Sequence, residues 1–206
     1  MELYVDKAAP NARRVLMFVA EKKLELRVIE INVAEQENRT PEFLAINPLG
    51  QVPVLKLADG LCISETMAIC RYLDEISDSP SLFGQGAEQR AIVHMWSRRV
   101  EYGLFVPAVE YGHHTHPVFR ERFDQIQKFA DLNRHLIEDT YALLDSQLDK
   151  TRFIAGDKFS VADIVAYCGV ELARLWDIPA DRLLKALCRW QQEVSDRSSA
   201  AIARYA

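Results

Sequence analysis

The amino-acid sequence predicts an α/β domain with the element order βαβαββα, followed by an all-α helical bundle. Short apolar runs alternate with amphipathic segments up to residue 77, and after residue 88 only helical periodicity is present. The intervening segment 78–88 (DSPSLFGQGAE) is rich in Ser, Pro and Gly. We therefore predict domains at 1–77 and 89–206 with a linker at 78–88.

Composition narrows the class of protein. The 206 residues are 49% hydrophobic and 27% charged, with a net charge of −5, which is typical of a globular protein. No Lys/Arg run is present, so we expect no nucleic-acid or membrane partner. The N-terminus has no apolar signal segment, and no stretch reaches the length of a membrane span, so a cytoplasmic location is predicted. The four cysteines have neither CxxC nor zinc spacing, which predicts buried thiols and no metal.

The first three elements are predicted to form a parallel strand pair. Residues 2–6 are a short strand candidate, and Pro10 is placed where a helix can begin. Apolar residues at positions 12, 15, 16, 19 and 20 share one face of that helix. Alternation over 26–33 predicts a half-buried second strand.

The second half of this domain is predicted to contain a hairpin between two helices. The sequence PEFLAIN indicates a short helix, and strands at 52–57 and 61–63 flank Ala58-Asp59-Gly60. An Asp-Gly pair between apolar strands is a strong hairpin signal. A helix over 64–77, capped by Ser64, completes the domain.

The second domain is predicted to contain four helices, at 89–111 with a kink at Pro107, 119–150, 160–176 and about 180–194. Ser160 and Asp163 have capping-box spacing ahead of an apolar run. We assign this motif a structural role.

Four segments carry a resemblance to a known family: LYVDKAAPNARRV, PEFLAINPLGQVPVL, SETMAICRYL and FIAGDKFSVADI. In this order they resemble the cytosolic glutathione S-transferase family over nearly the whole chain. The resemblance implies a thioredoxin-like first domain that binds glutathione and a helical second domain that forms an electrophile pocket. The implied reaction joins glutathione thiolate to small hydrophobic electrophiles or reduces peroxides. The alternative is a non-catalytic binding or scaffold protein with the same fold.

The resemblance assigns six residues to glutathione, namely Arg39, Gln51, Val52, Pro53, Glu65 and Thr66. Val52, before a cis proline, would pair its backbone with the cysteinyl unit. Glu65 would receive the α-ammonium group, and Thr66 would bind the γ-glutamyl carboxylate at a helix N-terminus. Arg39 and Gln51 would hold the glycyl carboxylate. The alternatives are a strand-entry proline, an ordinary helix cap and a solvated loop charge.

The thiolate-stabilising group departs from the family pattern. Relatives carry Ser, Tyr, Thr or Cys before or at the start of the first helix, whereas this chain has Ala9. The side-chain N–H₂ of Asn11 is the best remaining donor, and its alternative is a first-turn residue that bonds its own backbone. The absence of cysteine here disfavours thiol exchange.

A second source of catalytic groups is predicted in the segment YGHHTHP. The resemblance makes His113, His114 and Thr115 candidates for holding a water near the thiol. The alternative is a set of solvated histidines favoured by a helix C-terminus. Phe105, Val109 and Tyr111 are candidates for the electrophile pocket, with core packing as the alternative.

The resemblance also implies a homodimer, with glutathione as co-substrate. The dimer would use the last helix of the first domain and the first helix of the second. The candidate contact residues are Arg71, Met95, Trp96 and Arg99.

Overall fold

The computed structural model describes residues 1–122 and 124–205 and forms two compact units, Met1–Ser81 and Leu82–Ala206. The division falls inside the segment 78–88 predicted as a linker. Each unit has its own core and is described separately.

The first unit has the predicted order βαβαββα. Its elements are β1 (Glu2–Val5), α1 (Pro10–Glu21), β2 (Arg27–Glu30), α2 (Pro41–Ile46), β3 (Val54–Lys56), β4 (Cys62–Ile63) and α3 (Thr66–Glu75). A 3-10 turn at Glu37–Arg39 precedes α2. The predicted thioredoxin-like class is confirmed.

The sheet has the strand order β2-β1-β3-β4, with β1 parallel to β2 and antiparallel to β3. The hairpin of β3 and β4 closes as predicted, because Gly60 has φ 92° and donates its N–H to the Leu57 carbonyl at 3.1 Å. Helices α1 and α3 pack together. Their buried residues include Val15, Phe18, Ile69 and Leu73.

Two predicted features of this unit are wrong. Strand β2 is shorter than 26–33 and more exposed than predicted: it pairs with β1 alone, and Val28 is 41% exposed. An alternating pattern does not reveal that a strand lies at a sheet edge. Helix α3 begins at Thr66, and its N-cap is Glu65 rather than Ser64.

The second unit is helical throughout its regular structure. Its elements are α4 (Gly86–Val100), a π-helical segment (Glu101–Phe105), α5 (Val106–Thr115), α6 (Gln127–Leu148), α7 (Val161–Leu175) and α8 (Lys185–Ser195), with 3-10 turns at Pro117–Phe119 and Ser198–Ile202. The helix predicted over 119–150 therefore begins later, at Gln127. The part of that prediction on Phe123 lies outside the described residues.

The kink predicted at Pro107 takes the form of the π-helical segment. Proline has no N–H to give to the carbonyl four residues earlier, that of Gly103. The Thr140 hydroxyl donates to this carbonyl at 2.8 Å. A Cβ on Gly103 would collide with the same hydroxyl oxygen. Glycine thus permits the approach of α6 that satisfies the carbonyl.

Helix α7 is the core of the second unit, as predicted. Its side chains are buried from Val161 to Ala173. Gly169 allows close packing, because a Cβ there would stand 2.8 Å from the Leu104 side chain. The predicted capping box of Ser160 and Asp163 is present.

Candidate functional site

The strand register brings two of the predicted glutathione-binding residues, Pro53 and Glu65, to one edge of the sheet in the first unit. Leu55 pairs with Ile63 in the hairpin, and Tyr4 pairs with Val54 across β1 and β3. Extending these registers places Pro53 opposite Glu65 and beside the carboxyl end of β1. Helix α1 begins just beyond that end, at Pro10.

The approach to Val52 is held by buried amide side chains. The Val52–Pro53 peptide bond is cis, as the resemblance implied. Asn47 donates to the Gln51 carbonyl at 2.8 Å, and Asn38 donates to the Gly50 carbonyl at 2.7 Å. These bonds fix the backbone ahead of Val52, which is the feature that strand-like recognition of a ligand needs.

Arg39 is held beside this loop. Its guanidinium donates to the Leu49 carbonyl at 3.2 Å. Gly50 has φ 61°, and a Cβ there would stand 2.7 Å from Arg39 Nη1. The exposed guanidinium is thus positioned next to Gln51 instead of projecting freely from the loop.

The N-terminus of α3 has a strained N-cap. Glu65 has φ 68° and ψ 120°, and its side chain makes no capping hydrogen bond to the helix. Such a backbone conformation costs about 1–3 kcal/mol in a residue other than glycine, and it occurs mainly at functional sites. The Glu65 side chain is exposed and Thr66 is buried. A carboxylate therefore lies beside the free N–H groups of a helix end, where an anion is favoured.

Asn11 and Thr66 belong to one hydrogen-bond chain. The guanidinium of Arg14 donates to the Asn11 side-chain oxygen and, at 3.3 Å, to the Thr66 hydroxyl. The prediction treated the start of α1 and the start of α3 as separate subsites. Arg14 connects them.

The other side chains near the first loop do not replace a hydroxyl at Ala9. The N-cap Ala9 makes no side-chain bond. The Tyr4 hydroxyl donates to Glu2 at 3.0 Å, and its ring packs edge-on against Phe43. Burial, helped by the bond to Glu2, raises the pKa of Tyr4. Tyr4 is therefore a protonated sheet residue.

A cavity of about 470 Å³ opens on the other side of β1 and contains none of the predicted site residues. Its lining comprises Asp6, Ala8, Glu30, Ile31, Asn32, Ala34 and Glu37. The Asp6 carboxylate accepts from the N–H groups of Ala8 and Val33, and Glu37 accepts from that of Asn32. These carboxylates stabilise the loops around the cavity.

In the second unit, His113 has the character of a neutral base. Its side chain is 23% exposed and its Nδ1 lies 3.8 Å from Glu110. Its ring packs edge-on against Phe119. Burial lowers the pKa of His113 despite the attraction of Glu110, so the imidazole is neutral at pH 7. The alternative interpretation of a fully solvated histidine therefore does not fit His113.

His114 and Thr115 each make a hydrogen bond within the second unit. His114 Nδ1 accepts from the Ile126 N–H at 3.1 Å, at the residue that caps α6. The Thr115 hydroxyl donates to the Tyr111 carbonyl at 2.7 Å. Both groups are thus occupied within the unit.

The three electrophile-pocket candidates separate by burial. Phe105 is 1% exposed, so it is a core residue and its prediction as a pocket residue is wrong. Val109 and Tyr111 are half-buried on α5.

Residues 1–122 and 124–205 contain neither a candidate metal-ion cluster nor a candidate membrane-spanning helix. No group of three or more His, Cys, Asp or Glu is arranged to hold a metal ion. Within the same residues, no helix has the length and apolar character needed to cross a bilayer.

Comparison with known proteins identifies the family. Residues 8–76 match the glutathione S-transferase N-terminal domain, and residues 110–198 match its C-terminal domain. The chain is 32% identical to glutathione S-transferase 2 of Saccharomyces cerevisiae, over 97% of this chain and 87% of that protein. The chain belongs to the glutathione S-transferase family. It is also 32% identical to glutathione S-transferase F12 of Arabidopsis thaliana, over 97% of this chain and 94% of that protein.

Solved structures of the family have the same fold. A glutathione S-transferase domain-containing protein of Marinobacter aquaeolei aligns with a TM-score of 0.91 at 34% identity, over 97% of this chain and all of that one. Gtt2 from Saccharomyces cerevisiae also gives a TM-score of 0.91, at 31% identity, covering 98% of this chain and 100% of that one.

Sequence reasoning missed Arg14, whose side chain hydrogen-bonds to both Asn11 and Thr66. The residue is 4% exposed. It lies four residues before Phe18 on the apolar face of α1, and this register was the available signal.

Proposed function

We propose that this chain is an enzyme that adds the thiolate of reduced glutathione to small hydrophobic electrophiles. The observation that carries the proposal is Glu65, held with a positive φ at the start of α3 and on the same sheet edge as Val52 and the cis Pro53. A non-catalytic scaffold has no need for a carboxylate on a residue whose backbone is strained at that position. Peroxide reduction is a second reaction available to the same thiolate.

The proposed glutathione position follows from the donors and acceptors at this edge. The Val52 backbone pairs with the cysteinyl unit, as an added strand would. The γ-glutamyl carboxylate binds the α3 N-terminus at Thr66, and its ammonium group binds Glu65. Arg39 and Gln51 bind the glycyl carboxylate from the loop.

Asn11 is the proposed donor to the thiolate. Lowering a thiol pKa from about 8.5 to about 6.5 requires about 2.7 kcal/mol of thiolate stabilisation. A helix N-terminus contributes about 0.3–1 kcal/mol. A hydrogen bond to a charged group adds about 1.5–3 kcal/mol. One Asn11 N–H together with the start of α1 therefore reaches the required magnitude.

For the second unit, we propose that Val109 and Tyr111 line the electrophile subsite and that His113 is the proton acceptor. A neutral, half-buried imidazole can act as a general base. Because His114 and Thr115 are already hydrogen-bonded, we assign them the positioning of this segment.

We expect wild-type protein to bind reduced glutathione near one per chain in a calorimetric titration at neutral pH, and Glu65→Ala to bind it much more weakly. The lost hydrogen bond to the ammonium group contributes about 1.5–3 kcal/mol, which is roughly a 10- to 150-fold change in Kd. Glu75→Ala, at the exposed far end of α3, is the matched control and should bind like wild type.

The same titration separates a glutathione-binding protein from a scaffold that keeps only the fold. Ala9 is the observation that favours a non-catalytic chain. Unchanged affinity in a folded Glu65→Ala protein would exclude the proposed γ-glutamyl subsite. Absence of binding by wild type at millimolar glutathione would favour a scaffold that keeps only the fold.

We also propose a cytoplasmic homodimer. Met95 is 39% exposed on α4, and the Arg99 guanidinium lies 4.8 Å from the Trp96 ring centroid. Trp96 is only 5% exposed, so it packs beneath Arg99 instead of contacting the partner directly. Arg71 remains a predicted dimer contact. Light scattering should give twice the 23.5 kDa of one chain. A single-chain mass at all protein concentrations would contradict the dimer.

A further inference from the structure

Arg14 is a buried cation in the first unit whose charge the fold must compensate. It is 4% exposed and lies on the α1 face that carries Phe18. An arginine in such a place costs free energy unless its N–H groups find acceptors. Two of its acceptors are the Asn11 amide oxygen and the Thr66 hydroxyl, the latter at 3.3 Å.

The bond to Asn11 fixes the orientation of its side-chain amide. An asparagine amide has an acceptor oxygen at one end and an N–H₂ donor at the other, whereas a guanidinium only donates. Turning the Asn11 amide over would place its N–H₂ against the donors of Arg14. Arg14 therefore selects the orientation in which the Asn11 N–H₂ points away from the guanidinium.

The bond to Thr66 has the same consequence for a hydroxyl. A hydroxyl group can both accept and donate. When the Thr66 oxygen accepts from Arg14, its hydrogen is directed elsewhere as a donor. One guanidinium thus orients a donor at the start of α1 and another at the start of α3.

We propose that Arg14 is a positioning residue that presents the Asn11 N–H₂ to the glutathione thiolate and the Thr66 hydroxyl to the γ-glutamyl carboxylate. This inference rests on the proposed function. The buried charge adds to the positive potential of the α1 N-terminus, which further favours a thiolate. Arg14 acts through Asn11 and Thr66 and is not itself a catalytic residue.

The first test needs no glutathione. Side-chain ¹⁵N–¹H spectra of the protein, with Asn11 assigned by its loss in Asn11→Ala, report the state of the amide. In wild type we expect the chemical shifts of the Asn11 side-chain amide to differ from those of free asparagine, and its protons to exchange slowly with water. Arg14→Met should move both toward free asparagine, with Arg14→Lys in between, because one ammonium lacks the planar fork of the guanidinium.

The second test measures the pKa of bound glutathione from the ultraviolet absorbance of its thiolate, together with Kd by calorimetry. We expect Asn11→Ala to raise the thiol pKa by about one to two units with little change in Kd. Arg14→Met should raise the thiol pKa by at least as much and also weaken binding several-fold, and Arg14→Lys should recover part of both. Arg27→Met, which removes an exposed arginine from the same unit, is the charge-matched control.

The two tests separate failure of the inference from failure of the proposed function. Wild-type amide spectra and a wild-type thiol pKa in both Arg14 variants would overturn the positioning role while leaving glutathione transfer intact. Absence of glutathione binding by wild type would overturn the function, and the amide spectra would still decide whether Arg14 orients Asn11. If Arg14→Met does not fold, the same criteria apply to Arg14→Lys.

Discussion

Replacing Asp163 by alanine is expected to lower the free energy of unfolding by at least about 3 kcal/mol. In a chain of this size the thermal midpoint should fall by about 6–12 °C or more. Asp163 is completely buried at the start of α7. Its carboxylate accepts from the N–H groups of Ile154 and Ser160, from the Ser160 hydroxyl and from the Trp190 indole.

The size of this effect comes from the donors that the substitution leaves behind. Ile154, Ser160 and Trp190 are all buried, so water cannot replace the lost acceptor, and each unsatisfied donor costs about 1–3 kcal/mol. Burial raises the pKa of Asp163, while the donated hydrogen bonds oppose that rise. Loss of the buried charge therefore offsets part of the cost.

Graded variants test this account by urea unfolding. Ser160→Ala removes one hydroxyl and should cost about 0.5–2 kcal/mol. Asp157→Ala changes an exposed carboxylate in the same loop and should remain within about 0.5 kcal/mol of wild type. If Asp163→Ala loses no more free energy of unfolding than Ser160→Ala, the bonds that the carboxylate accepts from the Ile154 N–H and the Trp190 indole do not stabilise the fold.

Local patterns predicted the element order of the first unit and the core helix of the second, because hairpin turns, caps and helical faces are encoded within a few residues. The errors arose where distant contacts decide. Helix α6 begins at Gln127, and the N–H of its capping residue Ile126 donates to His114, twelve residues earlier, a contact that local periodicity does not reveal. Strand β2 is exposed because, among the strands of the described residues, only β1 pairs with it, which alternation cannot reveal.

Features of the candidate site could be predicted where the residue type itself restricts the backbone, as proline does. The Val52–Pro53 bond is cis, as the family pattern implied. Residue type alone could not predict burial, so Phe105 was assigned to a pocket although it packs in the core, and the burial of Arg14 was not predicted. An aromatic residue at helical spacing and a basic residue on an apolar face each have two structural outcomes, and tertiary packing selects between them.

Lys22 is a second buried cation on the same face of α1, and its loss is expected to have the other large effect on stability. Its ammonium lies 2.9 Å from the Asp74 carboxylate, with the two side chains 1% and 5% exposed. It also donates to the carbonyls of Ser79 and Pro80 at 3.1 and 3.0 Å. Ser81 donates to the other oxygen of Asp74. These bonds anchor the segment after α3 to the end of α1.

We expect Lys22→Met to lower the free energy of unfolding by about 3–5 kcal/mol, because it leaves a buried carboxylate without its cation. The double variant Lys22→Met/Asp74→Leu should recover part of this loss, since an apolar pair carries no desolvation penalty. The neighbouring exposed Lys23→Met controls for the change of charge and should stay within about 0.5 kcal/mol of wild type in urea unfolding. If Lys22→Met and the double variant lose the same free energy of unfolding, the stabilisation comes from the lysine bonds to the Ser79 and Pro80 carbonyls. A loss below about 1 kcal/mol in Lys22→Met would contradict a stabilising buried ion pair.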